Sequence, residues 1–219
     1  MTNRPNLTRV LLLLLLVWLL AGCAATLKPP TPIDQHAEVF VLDHGRHNSL
    51  VLVVAEDRVM RYAFGEWRWY VDGETGPLRS LDALLRATPS ALGRMRLHGP
   101  PQPDCWVDQV GSEIRSVLVF VAERSRVEAL ARAIDSRFEG VDAEPYYSQL
   151  LNLEFVRHDR AYSLGFNSNH QVVAWLELLD FEVRGSPMIG RLRALQPGRS
   201  VMVDSSNCSA ASHSDSNDA

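Results

Sequence analysis

The stretch HGRHNSLVLVV, residues 44–54, sets two histidines directly before a run of apolar and β-branched side chains. Leu50 to Val54 has no polar position on either side-chain face, which is the pattern of a strand buried on both sides. Working outward, AEVFVLD (37–43) reads as the strand before it, and RVMRYAF (58–64) as the strand after it, with Asp57 at the intervening turn. His47 then lies at the entrance to a buried strand, where a ring can be held rigid while it faces a cleft. The plainer reading of His44 and His47 is a pair of surface side chains in a strand–strand turn.

Further along, SVLVFVAE (116–123) is a fourth apolar strand, and shorter strands are expected at RMRLHG (94–99), Leu153–Val156 and Arg199–Val203. Val127, Leu130, Ala131 and Ile134 form a helical stripe within Ser125–Phe138. Gln171–Leu179 repeats that pattern with Val172, Leu176 and Leu179. A short helix is expected over Leu78–Ala87, ended by Pro89. Strands gather early and helices later, which predicts one α+β domain, an antiparallel sheet with packed helices. The expected core holds Val39, Val41, Leu50, Leu52, Val117, Val119, Val172 and Leu176.

The N-terminus carries a separate message. Arg4 and Arg9 precede an unbroken apolar run, Val10–Leu20, which is too short to span a bilayer comfortably. Leu20-Ala21-Gly22-Cys23 follows, and this ending resembles the lipobox of bacterial lipoproteins. The resemblance implies cleavage before Cys23 and acylation of that cysteine, whose several acyl chains supply the two signals that stable anchoring needs. It also implies a cell-envelope, periplasm-facing location, and Ala24 after the cysteine favours the outer over the inner membrane. The expected organisation is a signal peptide (1–22), a Pro-rich lipidated tether (23–36), a folded domain (37–204) and a disordered tail (205–219). With 46 % hydrophobic residues and a net charge of −4, the composition suits a real core and shows no nucleic-acid footprint. Of three cysteines, Cys105 and Cys208 remain after Cys23, and one pair is no disulfide framework.

Two more segments carry chemistry-bearing residues. YAFGEWRWY (62–70), if extended, puts Phe64, Glu66, Arg68 and Tyr70 on one face and Trp67 and Trp69 on the other, where they stack on a ligand or cover a sheet. In YSLGFNSNHQVVAWLELLDF (162–181), Asn167 is a helix N-cap type and Ser168 enters the first turn. A helix start offers free N–H groups and partial positive charge to a developing anion, although capping alone also explains these residues.

Taken in order, the three segments resemble the circularly permuted branch of the NlpC-type papain-like cysteine peptidases and amidases, over roughly residues 37–181. There the histidine comes first, at a strand start, and the nucleophilic cysteine later, at a helix start. HGRHNSLVL matches the first motif with His47 in the catalytic place, YAFGEWRWY the aromatic F-G segment, and FNSNHQVVAWLELLDF the third. Ser168 stands where the cysteine belongs. A serine is not ionised near neutrality and requires a positioned base. Two readings stay open: a hydrolase with His47, Ser168 and Glu66 or Asp43 orienting the imidazole, or a cleft that has lost its chemistry and binds a peptidoglycan, peptide or acyl ligand. On the second reading, Ser168→Cys is expected to restore a reactive thiol. No cofactor is implied; a metal site at His44, His47 and His170 lacks a completing ligand set.

Overall fold

A computed structural model describes residues 24–31, 35–73, 76, 86–140 and 144–208. The leader, Cys23 and the tail beyond Cys208 lie outside the described residues, as does the helix expected at 78–87 apart from Arg86 and Ala87. Among the described residues no helix is long and apolar enough to cross a membrane.

In chain order the elements are β1 (Ala24–Lys28), β2 (His36–Asp43), β3 (Asn48–Ala55), β4 (Arg58–Glu66), α1 (Trp67–Tyr70), β5 (Thr88–Leu97), β6 (Ser116–Glu123), α2 (Arg124–Asp135), β7 (Tyr146–Ser148), β8 (Leu153–Tyr162), α3 (Ser168–Leu178), β9 (Glu182–Gly185), β10 (Arg191–Ala194) and β11 (Arg199–Val201). Eight strands form an antiparallel sheet in the order β11-β6-β2-β3-β4-β5-β8-β7. The architecture is α+β, as expected. β3 sits inside that sheet and is buried through residue 54, which explains its continuous apolar run.

The sheet has two apolar faces with different covers. On one, Val39, Val41, Leu50, Leu52 and Tyr62 meet the stripe of α2 (Val127, Leu130, Ile134) and that of α3 (Val172, Leu176). Asp135 at the end of α2 pins this layer: it is 6 % exposed and accepts hydrogen bonds from Tyr62 Oη (3.1 Å) and Arg58 Nη2 (2.6 Å). Burial and the neighbouring Asp135 carboxylate push the Tyr62 hydroxyl far above its ordinary pKa. On the other face, Phe40, Val51, Val117 and Val119 are covered by the loop 98–115, through Trp106, Val110 and Ile114. Trp106 meets Phe40 edge-on at 5.0 Å. The expected core is buried throughout, but Val117 and Val119 belong to this second layer and not to the helix-covered one.

Several expectations are corrected. Ala24–Lys28, assigned to the tether, is a strand with Ala25 and Leu27 fully buried; it pairs antiparallel with β9 and parallel with β10. The start of the tail is fastened too, since Cys208 forms a disulfide with Cys105 in the loop 98–115. β8 runs to Tyr162, well beyond Val156, because it pairs along most of β5. Residues 67–70 turn into a helix where an extended continuation was expected.

Candidate functional site

Three local devices bring the predicted segments to one end of the sheet. The first is the β2–β3 turn, residues 44–47. Asp43 Oδ1 accepts from Gly45 N (2.6 Å), and His44 N donates to His47 O (2.9 Å). Gly45 has φ +93°, and a Cβ there would stand 2.6 Å from the Arg115 guanidinium carbon. Only glycine fits. Asp43 thus closes the turn through Oδ1, while its charge still acts on the His47 ring.

The second device is the β4–α1 junction. A Cβ on Gly65 would lie 1.8 Å from the Tyr70 ring, so glycine lets that ring pack against β4. Glu66 is the N-cap of α1, with Oε2 accepting from Trp69 N at 2.7 Å. This breaks the extended pattern, in which Trp67 and Trp69 would have shared one sheet face. Trp67 instead stacks under the Arg157 guanidinium at 3.8 Å.

The third is a set of buried asparagines. Asn167 caps α3, its Oδ1 accepting from Asn169 N (3.0 Å) and His170 N (3.3 Å), while its Nδ2 donates to Met188 O (3.1 Å). Asn48 Nδ2 donates to Asn169 Oδ1 and to Gly190 O, both at 2.9 Å, and Asn169 Nδ2 donates to Arg46 O (3.0 Å). Asn48, Asn167 and Asn169 are 3 %, 4 % and 1 % exposed. The start of β3, the start of α3 and the loop 186–190 are therefore sewn together by amide groups. Gly190 completes the seam, since a Cβ would stand 2.8 Å from Arg46 O.

A cavity of about 400 Å³ opens at this junction. His47, Glu66 and Arg46 give its wall polar groups, and Trp69, Tyr162, Leu164, Met188 and Ile189 supply most of the rest. His47 makes no side-chain hydrogen bond among the described residues; its ring meets Tyr70 edge-on at 6.3 Å. Burial, then the Arg46 and Arg61 cations, hold its pKa below the ordinary value. Tyr162 is pushed up to about 12, first by burial and then by the Glu66 carboxylate.

Of the three predicted catalytic residues, the structure brings His47 and Glu66 to the cavity wall. Ser168 is at the first position of α3 but is 3 % exposed, absent from the wall, and makes no hydrogen bond to His47. Its neighbours Asn167 and Asn169 serve as cap and seam. The histidines of the metal hypothesis go separate ways: His170 Nδ1 meets Asn167 Oδ1 (2.9 Å), and His44 is bonded under the loop 98–115. Among the described residues no group of three or more His, Cys, Asp or Glu is placed to hold a metal ion.

A polar cluster escaped the sequence reading. Arg61 is 4 % exposed on the loop-covered face, with Nε donating to Ser49 Oγ (3.1 Å) and Nη2 3.5 Å from His44 Nε2. Ser49 Oγ lies 2.9 Å from His44 Nε2, and His44 Nδ1 lies 2.7 Å from Glu113 O. A carbonyl only accepts, so this network assigns the proton to Nδ1 and leaves Nε2 as the acceptor. Burial and then the Arg61 cation lower the His44 pKa to about 3, and burial lowers that of Arg61 to about 10. The available signal was an arginine inside an otherwise apolar strand, Arg61 between Met60 and Tyr62.

Comparison of the chain with protein-family models, curated proteins and solved structures finds no match.

Proposed function

We propose that this chain is an acylated, envelope-anchored lipoprotein whose papain-like cleft binds a ligand and has given up hydrolysis. One observation carries the second half: His47 lines the cavity with no hydrogen bond to a carboxylate or to Ser168, and Ser168 is buried away from the wall. A serine nucleophile needs a base within hydrogen-bonding reach, and an imidazole base needs an orienting group. Glu66 caps α1 through Oε2 and Asp43 closes the turn through Oδ1, and neither hydrogen-bonds the His47 ring, so neither is in place as its orienting group. The wall suits a ligand with an apolar body and a polar end, and among the expected ligands this favours an acyl-bearing one. The anchor is supported by the residues leading to Cys23, the fold by the order of a histidine-first strand and a later helix whose starts meet.

The test pairs two probes on the full-length protein in membranes. A fluorophosphonate is expected to leave Ser168 unlabelled, and a dansyl-labelled fatty acid to bind, with binding lost in Trp69→Ala. Fluorophosphonate labelling that vanishes in Ser168→Ala and falls in His47→Ala makes the chain a serine hydrolase and rejects this reading.

A further inference from the structure

β1 begins one residue after Cys23, and its first pairs are Ala24 with Arg191 of β10 and Ala25 with Gly185 of β9. The loop 186–190 joins β9 to β10 and so lies at the Cys23 end of the small sheet. That same loop supplies Met188 and Ile189 to the cavity wall, where Leu164 joins them. These three side chains are 37 %, 38 % and 41 % exposed. No flexible tether separates Cys23 from the folded body: neighbouring Cα atoms are about 3.8 Å apart, so a group on Cys23 starts beside this rim. The surrounding charge is mixed but rich in arginine: Glu66 shares the cavity wall with Arg46, and Glu182 of β9 lies 3.6 Å from Arg184. From Val183 to Ala194 the chain carries Arg184, Arg191 and Arg193 and no acidic residue, and Arg46 is exposed at the cavity.

We propose that the cavity rim is a membrane-docking surface: Leu164, Met188 and Ile189 enter the anionic bilayer that holds the Cys23 acyl chains, and the cavity opens towards the lipid. Apolar side chains at a rim gain by leaving water, and nearby arginines gain about 1 kcal/mol each from an anionic surface. An apolar ligand then enters from the bilayer without crossing water. Docking and anchoring are separable, although the orientation rests on reading Cys23 as the lipid-bearing residue.

The experiment places single cysteines in the full-length chain, at Leu164, Met188 or Ile189, with Leu178→Cys as the control. Leu178 is 62 % exposed at the far end of α3, and Cys105 and Cys208 are occupied by their disulfide. Each thiol is labelled with NBD, and the protein is reconstituted in phosphatidylglycerol–phosphatidylethanolamine vesicles containing doxyl lipids. The expected result is quenching at the rim about fivefold stronger than at Leu178, and about twofold weaker in phosphatidylcholine vesicles. Rim quenching no stronger than at Leu178 overturns the docking surface; equal quenching in both vesicle types overturns the part given to the arginines. Palmitate incorporation is measured alongside. Incorporation at Cys23 with an unquenched rim rejects docking and leaves the anchor standing; a quenched rim without incorporation rejects the anchor and leaves the surface standing.

Discussion

His44 and His47 belong to one turn, yet they stand in opposite situations. His44 turns to the loop-covered face, where Nδ1 donates to Glu113 O and Ser49 Oγ and Arg61 Nη2 approach Nε2. His47 turns to the cavity, and its ring makes no hydrogen bond among the described residues. A buried polar group with every valence used contributes to the fold and has little left for a ligand. One with open valences on a cavity wall contributes little to the fold and stays available. The pair therefore separates a histidine tied into the fold from one whose ring is left open at a cavity wall, although both look alike in sequence.

The largest expected effect concerns pH. His44 has a folded pKa of about 3, below its unfolded value, so the unfolded chain binds the extra proton first. Its contribution to stability is complete above about pH 6.5 and is lost as pH falls towards 3, on the order of a few kcal/mol. His47, His158 and His170 are shifted in the same direction. Urea titrations between pH 7 and 4 should show stability falling with acid, and His44→Gln should flatten that slope. An unchanged slope in the variant removes His44 from the account.

Next in size is truncation at neutral pH. His44→Ala leaves Ser49 and the buried Arg61 cation short of partners and should cost about 2–3 kcal/mol in denaturant unfolding. His47→Ala should change stability by less than about 0.5 kcal/mol while weakening binding of the dansyl fatty acid. Equal losses of stability would erase the contrast.

Asn169→Ala tests the seam that holds the cavity open on the His47 side. It removes the acceptor for Asn48 and the donor to Arg46 O, and should cost about 1–2 kcal/mol together with ligand binding. Retained binding at full affinity would show that the loop 186–190 stays seated without it.

The smallest effect expected is at Ser168. The family resemblance alone predicts that Ser168→Cys yields a reactive thiol, but the side chain is 3 % exposed, so a reagent in solution has little access to it. Iodoacetamide should therefore react with it no faster than with an ordinary thiol. Fast reaction, slowed by His47→Ala, would place Ser168 and His47 in one working cleft.

Legibility followed the range of the interactions. β2, β3, β4 and β6 were readable because each carries a run of β-branched and apolar residues long enough to show its period, and α2 and α3 because their stripes and the Asn167 cap lie within a few residues of each other. β7, β9 and β10 span three or four residues, too few to display a period. Trp67–Tyr70 misled because the Glu66 cap competes with an aromatic pattern that suits a strand equally well.

By itself the sequence determined the α+β class, the central strands, the two packed helices and the place of His47, Glu66 and Asn167 at element junctions, since all of these rest on neighbours along the chain. Only the tertiary structure decided that β1 joins the body through residues more than 150 positions away, that Cys208 reaches Cys105, that Arg61 shares a buried network with His44, and that Ser168 lies off the cavity wall. Those outcomes depend on which distant surfaces meet, and the free energy that selects them comes from burial shared across the whole sheet, which no local window records.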